Sequence, residues 1–212
     1  MAEPRRRRAT SEKKVARLLD ATESIMLRDG YAAVSSRSVA AKVRIQAPLV
    51  HYYFPTIDDL FVAVLRRRAE VNVERMAAAL ASPEPLRAWW ELASDPRGTA
   101  LFLELLAAAN HRPPLRAEMG KVARDVRRMQ MKMLSSILGE YGLDPDAFPP
   151  ALIAATMQGL AFGLVSDRVA GYETAHDEAT TAMSRLLARL ERERARRVTR
   201  SRPRRAPDRS SR

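Results

Sequence analysis

The chain has 212 residues, 46% of them apolar, no cysteine and a formal net charge of +12. That length and apolar share can bury a sizeable core and exclude a disordered chain, while the missing thiols exclude a disulfide framework, a thiolate nucleophile and a Cys-ligated zinc. The charge sits at the ends: residues 1–14 carry +4, residues 192–212 carry +8, and residues 15–191 hold 21 basic against 21 acidic side chains.

Residues 1–11, with Arg5 to Arg8, are expected to form a basic disordered arm. From Thr10 the pattern turns helical. Val15, Leu18, Leu19, Thr22, Ile25 and Met26 recur at three- and four-residue spacing, Thr10 or Ser11 caps the start, and Asp29-Gly30 stops the helix. Ser35 or Ser36 caps a second helix whose Val39, Ala40 and Val43 face inward. Pro48 fits only a first helical turn, so a third helix starts near Gln46 or Ala47 and runs to Tyr53. Pro55 ends it. Thr56 caps a fourth helix, 57–80, with Asp58 and Asp59 at its positive end.

Further helices follow over 84–94, 99–110, 115–141, 151–170 and 174–190, separated by Pro- and Gly-bearing breaks. The segment 99–110 is apolar enough to be buried. On 115–141, Met119, Val122, Val126, Met129, Met133, Leu134, Ile137 and Leu138 are expected inward. No segment alternates with period two, and nothing repeats. The fold class is all-α with about nine helices. Residues 195–212 form a second basic tail, expected to be disordered, which either attracts polyanions or serves solubility alone.

The second and third helices, joined by a tight turn, have the form of a helix-turn-helix, in which the second helix of the pair enters the major groove and the first braces it. Val50 and Phe54 then point into a small core, and Ala47, Pro48, His51 and Tyr52 point out. Ser35, Ser36 and Arg37 open the bracing helix, where free N–H groups favour a phosphate. Four successive aromatic rings, His51-Tyr52-Tyr53-Phe54, cannot all face one side of a helix.

These residues resemble a family. Gly30-Tyr31, Ser35-Ser36-Arg37-Ser38-Val39-Ala40, Ile45, His51-Tyr52-Tyr53-Phe54 and Asp58-Asp59-Leu60 are similar in order and spacing to the DNA-binding domain of TetR-type transcriptional regulators. The resemblance covers residues 12–72, with the helix-turn-helix at 35–54. It implies an all-helical fold of nine helices, the first three binding DNA. A C-terminal domain, here 73–194, would bind a small-molecule effector and pair two copies through its last two helices. The DNA-facing candidates are Ser35, Ser36, Arg37, Arg44, Gln46, Ala47, Pro48, His51, Tyr52 and Tyr53. The implied function is a ligand-responsive regulator, most simply a repressor, that binds a palindromic operator on double-stranded DNA as a homodimer.

Three positions depart from the family pattern. Arg44 stands where the turn usually has Gly, so either the turn differs in shape or Arg44 reaches a phosphate; a left-handed non-Gly residue costs about 1 kcal/mol. His51 stands for a phosphate-binding Tyr, and an imidazole N–H still donates one hydrogen bond. Ile57 replaces a Lys and removes one phosphate contact, which the Arg5–Arg8 arm can offset.

For the effector, the candidates are Trp89, Trp90, Phe102, Met129, Met133, Met157, Gln158 and Phe162, read either as an adaptable pocket or as ordinary core. Glu104, Asn110 and Gln158 are polar residues in apolar stretches that either orient a ligand or exit the core. An apolar or amphipathic effector is expected. Ala155, Gly159 and Gly163 form a ridge of small residues. With Leu164, Met183, Leu186, Leu187 and Leu190 (and Leu160) it serves either a two-fold four-helix interface or packing within one chain.

Other function classes are less well supported. Three histidines, His51, His111 and His176, and no phosphate loop, His-Glu-x-x-His or Gly-x-Ser-x-Gly motif argue against an enzyme, a cofactor or a metal site. Asp144 and Asp146 read as a chance pair. The alternative is a sequence-nonspecific DNA-binding protein that works through its basic tails. Met1-Ala2-Glu3-Pro4 precedes arginines rather than an apolar stretch, and no run of about 18 apolar residues occurs, so a cytoplasmic protein without a membrane partner is expected.

Overall fold

The computed structural model describes residues 3–201, with side chains from 11 to 200. Nine α-helices make up the described chain: α1 Glu3–Asp29, α2 Ser36–Val43, α3 Ala47–Tyr53, α4 Ile57–Leu80, α5 Pro85–Ala93, α6 Pro96–His111, α7 Pro113–Tyr141, α8 Pro150–Val169 and α9 His176–Ser201. A 3-10 turn, Tyr31–Ala33, follows α1. There is no strand among the described residues.

Both ends differ from expectation. α1 begins at Glu3 rather than at Thr10 or Ser11, so most of the arm 1–11 is helical. Pro4 lies in the first turn, where its missing N–H is harmless, and the Arg, Ala, Glu and Lys run behind it holds no breaker. α9 likewise continues to Ser201 through Arg-rich sequence that favours helix, so residues 195–201 are helical too. Residues 1–2 and 202–212 of the two expected tails lie outside the described residues. α6 starts at Pro96, three residues early: Asp95 caps it by accepting the Arg97 backbone N–H at 3.2 Å, and Pro96 takes the first position.

Two cores organise the helices. The first gathers Leu18, Ile25 and Met26 of α1, Val39 of α2, Val50 of α3 and Leu60, Phe61 and Val64 of α4. It is completed from beyond residue 72 by Leu101, Leu105, Ala108 and Ala109 of α6 and Leu115 of α7. The second holds Met76 and Leu80 of α4, Trp89 and Trp90 of α5, Leu134 and Leu138 of α7, Met157 of α8 and Leu187 of α9. α4 belongs to both and packs most extensively on α7 and α5.

α6 is not buried all round, as its composition suggested. Leu101 and Leu105 are interior, whereas Phe102 and Leu106 reach solvent, because α6 covers the first core with one face only. At the far end, the buried Glu191 carboxylate accepts the Leu86 backbone N–H at 2.9 Å and the Tyr141 hydroxyl at 2.8 Å. It thereby satisfies a free N–H in the first turn of α5, which has no side-chain cap of its own. Burial and the Glu191 charge push the Tyr141 phenol well above its ordinary range.

Candidate nucleic-acid interface and effector cavity

The helix-turn-helix is held by local bonds that the sequence dictates. Ser35 caps α2: its Oγ accepts the Ser38 N–H at 3.1 Å while Ser38 Oγ accepts the Ser35 N–H at 2.9 Å. Arg44 adopts φ 59° and ψ 52°, the left-handed conformation that Gly usually supplies. Its N–H bonds to Ala41 O at 3.2 Å and the Ile45 N–H to Ala40 O at 3.0 Å, a Schellman closure of α2. The turn therefore keeps the usual shape without Gly. Arg17 of α1 donates to Val43 O at 3.1 Å, so an otherwise free carbonyl at the end of α2 ties the bracing helix down. Thr56 and Asp59 form a second capping box at the start of α4.

The exposed surface of this unit is a strip across α2, the turn and α3. Ser35, Arg37, Arg44, Gln46, Pro48, His51 and Tyr52 are exposed, with Tyr52 78% open and its ring edge-on to Tyr53 at 5.1 Å. Three of the expected DNA-facing residues are turned inward. Ser36 is buried, because the hydroxyl at the cap is that of Ser35. Ala47 and Tyr53 pack partly against the first core, since they share the face of α3 that carries Val50. Val50 and Phe54 are buried as expected. Ile57, in place of a cation, also packs on that core.

A cavity of about 650 Å³ lies between α4, α6, α7 and α8, with Leu92 and Ala93 of α5 at its edge. Its walls are mostly apolar, including Leu65, Leu101, Phe102, Leu105, Val126 and Phe162, and the rings of Phe102 and Phe162 meet edge to face at 6.4 Å. The polar lining is Arg68, Asn72 and Arg75 of α4, Asp95 and Thr99, Arg127 and Gln130 of α7, and Gln158 of α8.

Of the expected effector residues, Phe102, Gln158 and Phe162 line this cavity. Trp89, Trp90 and Met157 are buried in the second core and Met133 packs against it, on faces of α5, α8 and the C-terminal half of α7 that turn away from the cavity. Met129 is 45% exposed and faces outward rather than inward. Glu104 turns to the Tyr31 backbone, and Asn110 is exposed. Arg68, Arg127 and Gln130 were not anticipated. Gln130 lies four residues after Val126 and four before Leu134, so a polar side chain within an apolar stripe was the available signal.

The small-residue ridge on α8 is not covered by its own chain. A Cβ at Gly159 or Gly163 would meet no atom within 4 Å. Ala155 and Gly159 of this ridge also border the cavity, Leu186 of α9 is exposed, and Leu164, Met183 and Leu190 are half-buried. Leu187 is the exception among the expected interface residues: it is fully interior, on the face of α9 that packs into the second core. No group of three or more His, Cys, Asp or Glu side chains is arranged to hold a metal among the described residues, and no described helix is long and apolar enough to cross a membrane.

Residues 18–64, from the middle of α1 to α4, match the family model of bacterial regulatory proteins, tetR family. That segment is a TetR-type DNA-binding domain. Over 70 residues, 32% of this chain and 32% of that protein, it is 37% identical to the HTH-type transcriptional repressor KstR of Mycobacterium tuberculosis. The match thus spans about a third of the relative's length. The multidrug binding protein EbrR, crystallised with imidazole, is 26% identical and aligns with TM-score 0.54 over 84% of this chain and 94% of its own. A Saccharomonospora viridis protein assigned as a transcriptional regulator, solved with choline, is 18% identical and shares the fold, with TM-score 0.64 over 90% of this chain and 97% of its own. EbrR has also been crystallised with ethidium.

In this chain α6 connects the cavity to the helix-turn-helix. Gly98, Thr99, Leu101, Phe102 and Leu105 of α6 line the cavity. On the same helix Glu104 accepts the Tyr31 backbone N–H at 2.7 Å. Just past its end Arg112 pairs with Asp58 at 2.6 Å and lies over the Phe61 ring at 5.0 Å, gripping the first turns of α4 directly behind α3.

Proposed function

We propose that the protein is a ligand-responsive transcriptional repressor. A homodimer inserts its two α3 helices into successive major grooves of a palindromic operator, about 34–36 Å apart. His51 and Tyr52 contact base edges or phosphates, and Arg37 and Arg44 contact phosphates on either side. The uncovered ridge of α8, with the Leu186 side of α9, forms the two-fold contact. Repression rather than activation is supported by the likeness to KstR, and effector binding by the ligand complexes of EbrR and of the Saccharomonospora viridis protein.

A small apolar or amphipathic effector fills the cavity and displaces α6 and α4. Release of DNA requires only that the effector bind the displaced form more tightly than the DNA-bound form. The observation that carries this reading is that α6 walls the cavity while its Glu104 holds Tyr31 and Arg112, just past its end, holds Asp58 on the other side of the helix-turn-helix.

Footprinting of genomic fragments retained by the purified chain tests it, together with light scattering. A two-fold symmetric protected site bound by a dimer is expected. Uniform coating of all sequences, lost when residues 192–212 are removed, would replace this reading with the tail-driven, sequence-blind one.

A further inference from the structure

The ionic lining of the cavity is mostly of one sign. Arg68, Arg75 and Arg127 face it, and Asp95 is the one carboxylate among the described lining residues. Asp95 is already engaged: Oδ2 pairs with Arg75 at 3.3 Å, and Oδ1 accepts the Arg97 N–H that starts α6. Arg68 has no hydrogen bond or ion pair among the described residues.

Arg127 donates to Gln130 Oε1 at 3.1 Å and has no carboxylate partner among the described residues. A guanidinium can only donate, so the amide oxygen of Gln130 must face it and the amide nitrogen must point elsewhere. That nitrogen belongs to a side chain only 1% exposed, and it has no acceptor. A buried donor left unsatisfied is unfavourable, and native structures hold few of them. An anion in this cavity would offer Gln130 the acceptor it lacks and would face two guanidiniums, Arg68 and Arg127, that no carboxylate pairs among the described residues.

We propose that the effector is an amphipathic organic anion. Its carboxylate sits at Arg68, Arg127 and Gln130, and its apolar body lies against Phe102, Leu105, Val126 and Phe162. This rests on the effector reading of the cavity and narrows it to a charge class. It also separates this chain from the solved relatives that hold choline and ethidium, which are cations and would here meet three guanidiniums against one occupied carboxylate.

Three probes with one ten-carbon tail and different heads decide the matter: decanoate, decanol and decyltrimethylammonium, titrated calorimetrically into the full chain below their micellar concentrations. Decanoate is expected to bind at least about tenfold more tightly than the ammonium probe. Arg68→Gln and Arg127→Gln should each weaken decanoate about tenfold or more and leave decanol within about twofold. Neither side chain is fully buried, so both variants should fold, and their melting curves verify it. Preference for the cation, or decanoate affinity untouched by both substitutions, overturns the anion assignment while leaving the cavity as an effector site. If none of the three probes binds, the effector reading itself falls and takes the assignment with it.

Discussion

Glu104 Oε2 accepts the backbone N–H of Tyr31 at 2.7 Å, across 73 residues of sequence. The carboxylate sits on a helix that walls the cavity, and the amide sits in the turn that leads into α2. Replacing Glu104 with Ala removes a charged acceptor and should lower global stability by about 1–2 kcal/mol, measured by denaturant unfolding. Glu104→Gln should recover about half of that. The sharper readout is coupling: the ratio of operator affinities with and without a bound cavity ligand should shrink in Glu104→Ala. An unchanged ratio would remove this bond from the transmission route.

Tyr52 is the most exposed of the large hydrophobic side chains described and makes no contact that a distant core depends on. Tyr52→Ala should therefore leave the melting temperature close to that of the parent, in line with other surface substitutions. Operator affinity should fall about tenfold, corresponding to the loss of one or two good contacts to the duplex. Fluorescence anisotropy on a labelled operator separates the two effects. Equal loss of stability and affinity would mean that the ring serves the fold instead.

Gly163 lies mid-helix in α8 with open space where a side chain would go. A glutamate there costs the single chain nothing, and helix propensity predicts a gain of about 0.5 kcal/mol. At the two-fold contact, however, it would place two like charges in a close crossing. Gly163→Glu should run as a monomer by light scattering, with unchanged helicity and much weaker operator binding. A persistent dimer would move the contact to another face.

The Tyr141 phenol is raised by burial and by Glu191. In the folded chain it stays protonated where an unfolded tyrosine, titrating near pH 10, does not. Its contribution to stability is therefore complete below about pH 10 and is lost as pH rises beyond that, at a slope of up to about 1.4 kcal/mol per pH unit. Denaturation midpoints between pH 8 and 11 should fall more steeply in the parent than in Tyr141→Phe. At pH 8 that variant should itself be weaker by about 1–2 kcal/mol, because Glu191 loses the hydroxyl.

The helix-turn-helix was legible in the sequence because its determinants are local. Ser35, Pro48, Phe54-Pro55 and Thr56 act within three or four residues of themselves, so the caps and breaks of α2, α3 and α4 fall where those residues place them. The cavity was not legible, because it depends on which faces of α4, α6, α7 and α8 meet. Trp89 and Met129 share the composition expected of a pocket, yet one turns into the second core and the other into solvent. Arg68 and Arg127 read like any cation on an amphipathic helix until the packed helices show that no acid among the described residues pairs with them. The ends of α1 and α9 were not legible from charge, because arginine is a good helix former and its propensity prevails over like-charge repulsion there.

The apolar interior beneath the helix-turn-helix is sealed by Leu101, Leu105, Ala108 and Ala109 of α6. A fragment ending near residue 72 would leave those partners behind and expose Leu60, Phe61 and Val64 to water. Anyone building hybrid regulators by transplanting this reader onto a foreign sensor must carry α6 and the first turn of α7 with it, or redesign the orphaned surface. Leu101 and Leu105 also wall the cavity, so a substitution at either one changes the seal and the cavity at the same time.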